Sequence, residues 1–373
     1  MMTTAQHQNS TPLAPLIGDE TMLSMSTFVR FPLMVVVLLS HAYISGLRLG
    51  GDVDIFLVTS FSLSKLLGNM AVPCFLFISG YLFFRNTEQF SVRLYGDKLR
   101  RRAQRLLLPY VVWNLLIILL YFVGQTLVPQ LFSGTHTAVA NYSVAEWFNA
   151  FWCVEGTQSP INPPLWYIRD LMVIVMFSPA IYLALRNRWV GVGFIALMLG
   201  LWLSGEAVNG AIVWLQPKNI FFFSLGAWYA IHKVEFMRFR WVTLLLGVAL
   251  CVTFATGFYL CGGKWVKRLF YEETILFGSL SILYLSHFLA SVKRWRVPKY
   301  LGDSYFFVYL CHYIPMALLS KVLVKLVAPT TNVEFFAIYF GSFIVILVLS
   351  VGAYHLLRRL LPKTTAFTLG GRA

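Results

Sequence analysis

Ten stretches of this chain are apolar for long enough to be read as membrane-crossing helices, with the polar positions collected between them. They run over residues 28–47, 61–84, 106–132, 165–185, 190–204, 212–231, 242–261, 274–289, 303–324 and 335–357. Crossing a bilayer takes about 20 apolar residues. Eight of the stretches meet that length or come close to it, and 190–204 and 274–289 are short. The pattern predicts an all-α polytopic integral membrane protein with about ten transmembrane helices. A polar N-terminal tail, 1–26, precedes a single membrane domain, 27–360, and a C-terminal tail follows over 361–373. An even number of crossings puts both tails on the same side.

Within the first stretch, Arg30 and His41 break an otherwise apolar run. A charged side chain near the bilayer centre costs roughly 2.5 to 3.5 kcal/mol on insertion scales, so such residues face a bundle interior and mark function by default. Eleven residues at about 100° each return to within about 20° of the starting direction and rise about 16 Å. One helix face therefore carries a cation and, three turns along, an imidazole. His41 taken alone reads equally well as an interhelical hydrogen-bonding residue.

Composition agrees with the pattern. The chain is 58% hydrophobic and 12% charged, with a mean hydropathy of +0.70, which excludes a soluble domain of this length. Its net charge of +15 would suit nucleic acid if it were clustered on one surface, but it follows the positive-inside rule instead. The loops 85–105, 186–188, 233–240 and 293–299, with the tail from residue 358, hold 20 of the 30 Lys and Arg. These loops alternate, so both termini are expected in the cytoplasm of a multi-pass inner-membrane protein. Residues 133–164, without Lys or Arg but with Glu146 and Glu155, should face outward. The five cysteines fall mostly inside apolar stretches without metal-ligand spacing, and no metal is expected.

The densest basic cluster, Lys98, Arg100, Arg101, Arg102 and Arg105, runs into Leu106-Leu107-Leu108-Pro109. Arginines three and four apart converge on one side of a helix, and their planar forks suit phosphate. Plain positive-inside charge explains the cluster equally well. The combination with other stretches adds weight. Arg30 and His41 with ten residues between, Ala71-Val72-Pro73-Cys74-Phe75-Leu76-Phe77-Ile78-Ser79-Gly80-Tyr81, Arg102 and Arg105 ahead of Leu108-Pro109, Pro164-Leu165-Trp166-Tyr167-Ile168-Arg169-Asp170-Leu171, and Leu301-Gly302-Asp303-Ser304-Tyr305 with Tyr309-Leu310-Cys311-His312 and Pro315 occur in that order. Together they resemble membrane acyltransferase family three, the bacterial O-acyltransferases that modify cell-surface glycans. Relatives often carry an acid three residues before the first-helix arginine and a small residue after it. Thr27 and Phe31 stand there instead.

The resemblance implies transfer of an acyl group, acetyl first among the short ones, from cytoplasmic acetyl-CoA to a hydroxyl of a glycan or lipid-linked sugar. No permanently bound cofactor is implied. The catalytic pair is then His41 and Arg30, with Arg101, Arg102 and Arg105 binding the donor. A neutral imidazole can act as general base or accept the acyl group itself. Glu155, Trp166, Arg169 and Asp170 near the outer surface are candidates for acceptor binding or support. So are Tyr305, Tyr309 and His312, which share one face of the ninth stretch. Besides membrane lipids the expected partner is the sugar acceptor, with no nucleic acid. A transporter of an acyl carrier or anionic solute, or an accessory subunit of glycan export, remains the alternative.

Overall fold

The computed structural model describes residues 17–42, 54–87, 91–129, 137–205, 214–236, 240–261 and 264–372. Every regular element among them is helical. Each of the ten expected stretches coincides with a helix or a bent pair of helices. Among the described residues five helical segments are long and apolar enough to cross a membrane: Glu20–His41, Ile55–Phe84, Val92–Leu127, Tyr271–Val292 and Asn332–Leu360. Two more qualify if a bent pair counts as one span. The helices Arg188–Leu203 and Pro217–Ile231 are shorter, and the seventh stretch falls on the helix Arg240–Cys261.

Both bends have a proline beside them. The pair joined at Phe177 turns by 61° and the pair joined at His312 by 71°. Pro179 and Pro315 follow these joints, and a proline cannot bond the carbonyl four residues back. Pro73, by contrast, lies inside the unbroken helix Gly68–Phe84. Among the described residues three other spans are continuous but carry a π-helical turn, Ser62–Leu67, Ala103–Leu107 and Phe288–Val292. Such turns insert an extra residue and re-aim the side chains that follow, often at functional sites.

Small residues set the tightest packing. A Cβ on Gly80 would overlap the carbonyl of Phe223, and one on Gly226 would overlap the carbonyl of Phe77. The helices Gly68–Phe84 and Pro217–Ile231 therefore meet backbone to backbone, as small residues permit in membranes. Phe222, Phe223, Leu165, Ile174 and Trp202 fill the main core around them.

Helices extend past the apolar stretches at both ends. The first helix begins at Ile17, upstream of residue 27, because Met22 and Met25 bury against Leu283 and Phe236. At the other end Pro362–Thr368 forms a helix, and Leu369 is buried in the main core. The remainder of the first stretch beyond Ala42, residues 43–47, lies outside the described residues, as does most of the polar tail.

Candidate functional site

A cavity of 720 Å³ lies between the first helix, the segment Ile55–Phe84, the basic helix Val92–Arg102 with its π turn, and the two bent pairs. Its size suits a drug-sized or larger ligand. Arg30 and His41 both line it, as their shared helix face requires. His41 closes the described first helix, so it sits in the last turn rather than mid-helix, with Arg30 three turns back toward the basic cluster.

Around Arg30 the wall is cationic. Arg101, Arg102 and Arg105 all reach the cavity, joined by Lys98, Arg85 and Arg372. The Arg30 guanidinium lies 6.0 Å from the Tyr305 ring centre, and that of Arg102 lies 5.9 Å from Phe83. Among the described lining residues there is no carboxylate. Arg30, Arg101, Arg102 and Arg105 gathered on one wall form a ready site for a multiply charged anion.

Around His41 the wall changes character. Its ring meets Tyr313 edge-on at 5.1 Å and tilts against His312 at 5.2 Å. His312 sits at the 71° bend and is 1% exposed. Its Nδ1 faces the carbonyl oxygens of Val308 at 3.0 Å and Tyr309 at 2.9 Å. Two acceptors there assign the proton to Nδ1, which leaves Nε2 with a free lone pair. That nitrogen is buried and has no hydrogen-bond partner. The expected stripe along the ninth stretch therefore has its tyrosines on the cavity and its histidine against His41. Tyr305 and Tyr309 line the wall, and the Tyr309 hydroxyl donates to the carbonyl of Pro164.

The outer-loop candidates divide. Trp166 lines the cavity. Glu155 is exposed in a turn and does not line it. Arg169 and Asp170 form an internal ion pair at 2.9 Å, each 1% exposed. Arg169 also donates to the carbonyls of Trp152 and, at 3.1 Å, Gln158, while the Asn219 amide donates to Asp170 at 3.1 Å. The pair is spent on holding the loop 152–158 against the bundle, so neither side chain faces a ligand in the cavity. Glu146 is likewise occupied. It closes a capping box with Ser143, and the Ser143 backbone and hydroxyl hold its carboxyl below the usual range.

Several lining residues escaped the sequence reading. Lys65, in the π turn Ser62–Leu67, lines the cavity beside Ser64, His41 and Asn69. A lysine inside an apolar stretch is the signal that could have found it. Tyr167 belongs to a recognisable motif, and its hydroxyl lies 3.3 Å from that of Ser79. Arg372 carried no signal at all, being far from the cluster in sequence.

A family model described as an acyltransferase domain matches residues 27–355. A succinoglycan biosynthesis protein, ExoH, from Rhizobium meliloti (strain 1021) is 28% identical over 322 residues, which is 83% of this chain and 81% of that protein. No solved structure matches.

Proposed function

Since the chain belongs to the acyltransferase-domain family, and so is an acyltransferase for groups other than aminoacyl groups, we propose that it moves an acetyl group from acetyl-CoA to a hydroxyl of a cell-surface glycan or lipid-linked sugar. The observation that carries this reading is the division of one cavity into a cationic end around Arg30 and an imidazole end at His41. An acyl-CoA has the same polarity. Its phosphates lie at one end, and its thioester lies at the tip of a long flexible arm.

Arg30, Arg101, Arg102 and Arg105 hold the phosphates through charge-assisted, often bidentate hydrogen bonds. About 16 Å along the helix axis, the thioester reaches His41. The sugar hydroxyl oxygen attacks the thioester carbonyl while His41 takes the hydroxyl proton. The carbon–sulfur bond breaks, and the departing thiolate recovers that proton to leave as free thiol. His312, with Nδ1 tied to carbonyls and Nε2 unpartnered, can share the proton with His41 in passing. Trp166, which lines the cavity, gives a flat surface for the apolar face of a pyranose. The glycan acceptor is further supported by the relative named for succinoglycan biosynthesis.

The positive-inside distribution supports a cytoplasmic donor side in an inner membrane. Purified protein given acetyl-CoA labelled in the acetyl group and a surface-glycan extract should move label into the glycan and release free thiol in equal amounts. Labelled solute crossing a proteoliposome membrane without thiol release would instead establish the transporter alternative.

A further inference from the structure

Beyond the helix Asn332–Leu360 the chain does not run off into solvent. It turns into the helix Pro362–Thr368 and then lies back across the basic end of the cavity. Three contacts fix this course. Leu369 is 1% exposed in the main core. The Trp113 indole donates to the carbonyl of Thr368 at 3.2 Å. Gly370 adopts φ +66° and Gly371 φ +81°, backbone that glycine alone takes without strain. A Cβ on Gly370 would stand 2.5 Å from the carbonyl oxygen of Gln104 and 2.9 Å from the Cα of Arg105. The segment thus lies flat on the π turn that carries Arg105.

This course delivers Arg372 to the cavity wall beside Arg30, Arg102 and Arg105. Its guanidinium stacks on the Phe306 ring at 3.9 Å, which orients the fork. One of its terminal nitrogens is buried and has no partner. Burial, followed by the neighbouring Arg30 and Arg105, pushes its pKa below the usual guanidinium range. An arginine held against three others, with a donor left open and no carboxylate among the described residues of that wall, is arranged for an anionic ligand.

We propose that residues 362–372 form a strap that completes a polyphosphate site, with Arg372 donating to phosphate oxygens at the nucleotide end of the donor. This rests on reading the cavity as the acyl-CoA site. The same phosphate chemistry could come from the diphosphate of a lipid-linked sugar, so the test separates the two sources.

The experiment measures binding of coenzyme A, and separately of geranylgeranyl diphosphate, to the purified full chain and to variants that keep a cooperative melting transition. Arg372→Ala should weaken coenzyme A binding about tenfold or more, the scale of a lost charge-assisted contact. Gly370→Ala, which keeps Arg372 but forces the strap off the Arg105 turn, should lose affinity as well. Arg359→Ala, which removes an exposed cation outside the cavity, should bind as wild type does. Wild-type binding unchanged in both Arg372→Ala and Gly370→Ala would overturn the strap while leaving the donor reading intact. Loss of diphosphate binding alone would keep the anion site but reassign its ligand to the lipid-linked sugar. A folded wild-type chain that binds no coenzyme A would overturn the donor reading and the strap together.

Discussion

Arg169→Ala should destabilise the protein severely, and the cost can be worked from the contacts of the pair. The substitution leaves the Asp170 carboxylate buried, 1% exposed in the intact protein, with the Asn219 amide at 3.1 Å as its remaining side-chain donor among the described residues. Breaking one partner of a buried ion pair costs about 3 to 5 kcal/mol, because the remaining charge is uncompensated. The carbonyls of Trp152 and Gln158 also lose their donor, but they lie in a partly exposed loop and can turn to water. Removing both charges in Arg169→Met/Asp170→Leu eliminates the buried carboxylate. Both variants lose the loop contacts, and the double variant leaves the buried Asn219 amide without its acceptor, at about 1 to 3 kcal/mol. The double variant should therefore be more stable than Arg169→Ala by roughly 1 to 3 kcal/mol. Thermal unfolding in detergent, followed by loss of the monodisperse peak, reads the order directly. A double variant no more stable than the single one would refute the assignment of this pair to loop anchoring. So would an Arg169→Ala protein that melts like wild type but has lost acceptor affinity.

Two further predictions follow from the cavity and the core. Arg102→Gln and Arg105→Gln should each raise the donor KM roughly tenfold or more with little change in kcat, since they remove binding common to ground and transition states. Equal falls in kcat and kcat/KM would place them at the chemistry instead. Gly80→Ala should cost about 1 to 3 kcal/mol, or prevent assembly, because its Cβ would overlap the Phe223 carbonyl on the facing helix. A melting temperature equal to wild type would show that the two helices do not meet as described.

Hydropathy made the helices legible because each stretch had to satisfy its backbone bonds internally in lipid. It could not place helix ends. The start at Ile17 depends on Met22 and Met25 finding apolar partners in distant helices, which no local pattern encodes. Arg30 and His41 were legible because helical periodicity alone sets their shared face. Arg101, Arg102 and Arg105 were legible as a cluster, although the π turn that aims Arg105 was not. For a physical reason the sequence left the part played by Arg169 and Asp170 open between acceptor binding and support. A charged pair near a membrane surface reads the same whether it greets a ligand or anchors a loop, and only burial and partner geometry separate the two. Lys65 was visible as a charge within an apolar stretch. Arg372 was not visible, because its position depends on a chain reversal at Gly370 and Gly371.

The most direct test of the account is acetyl transfer by purified protein carrying His41→Ala, compared with His312→Ala, His287→Ala and wild type at matched folding. If His41 is the group that takes the hydroxyl proton, its removal should lower kcat by about 10² to 10⁴ with donor binding retained. His312→Ala should lower kcat by less, and His287→Ala, outside the cavity lining, should behave as wild type. Acetyl transfer by His41→Ala at the wild-type rate would contradict the account, whatever the other variants did.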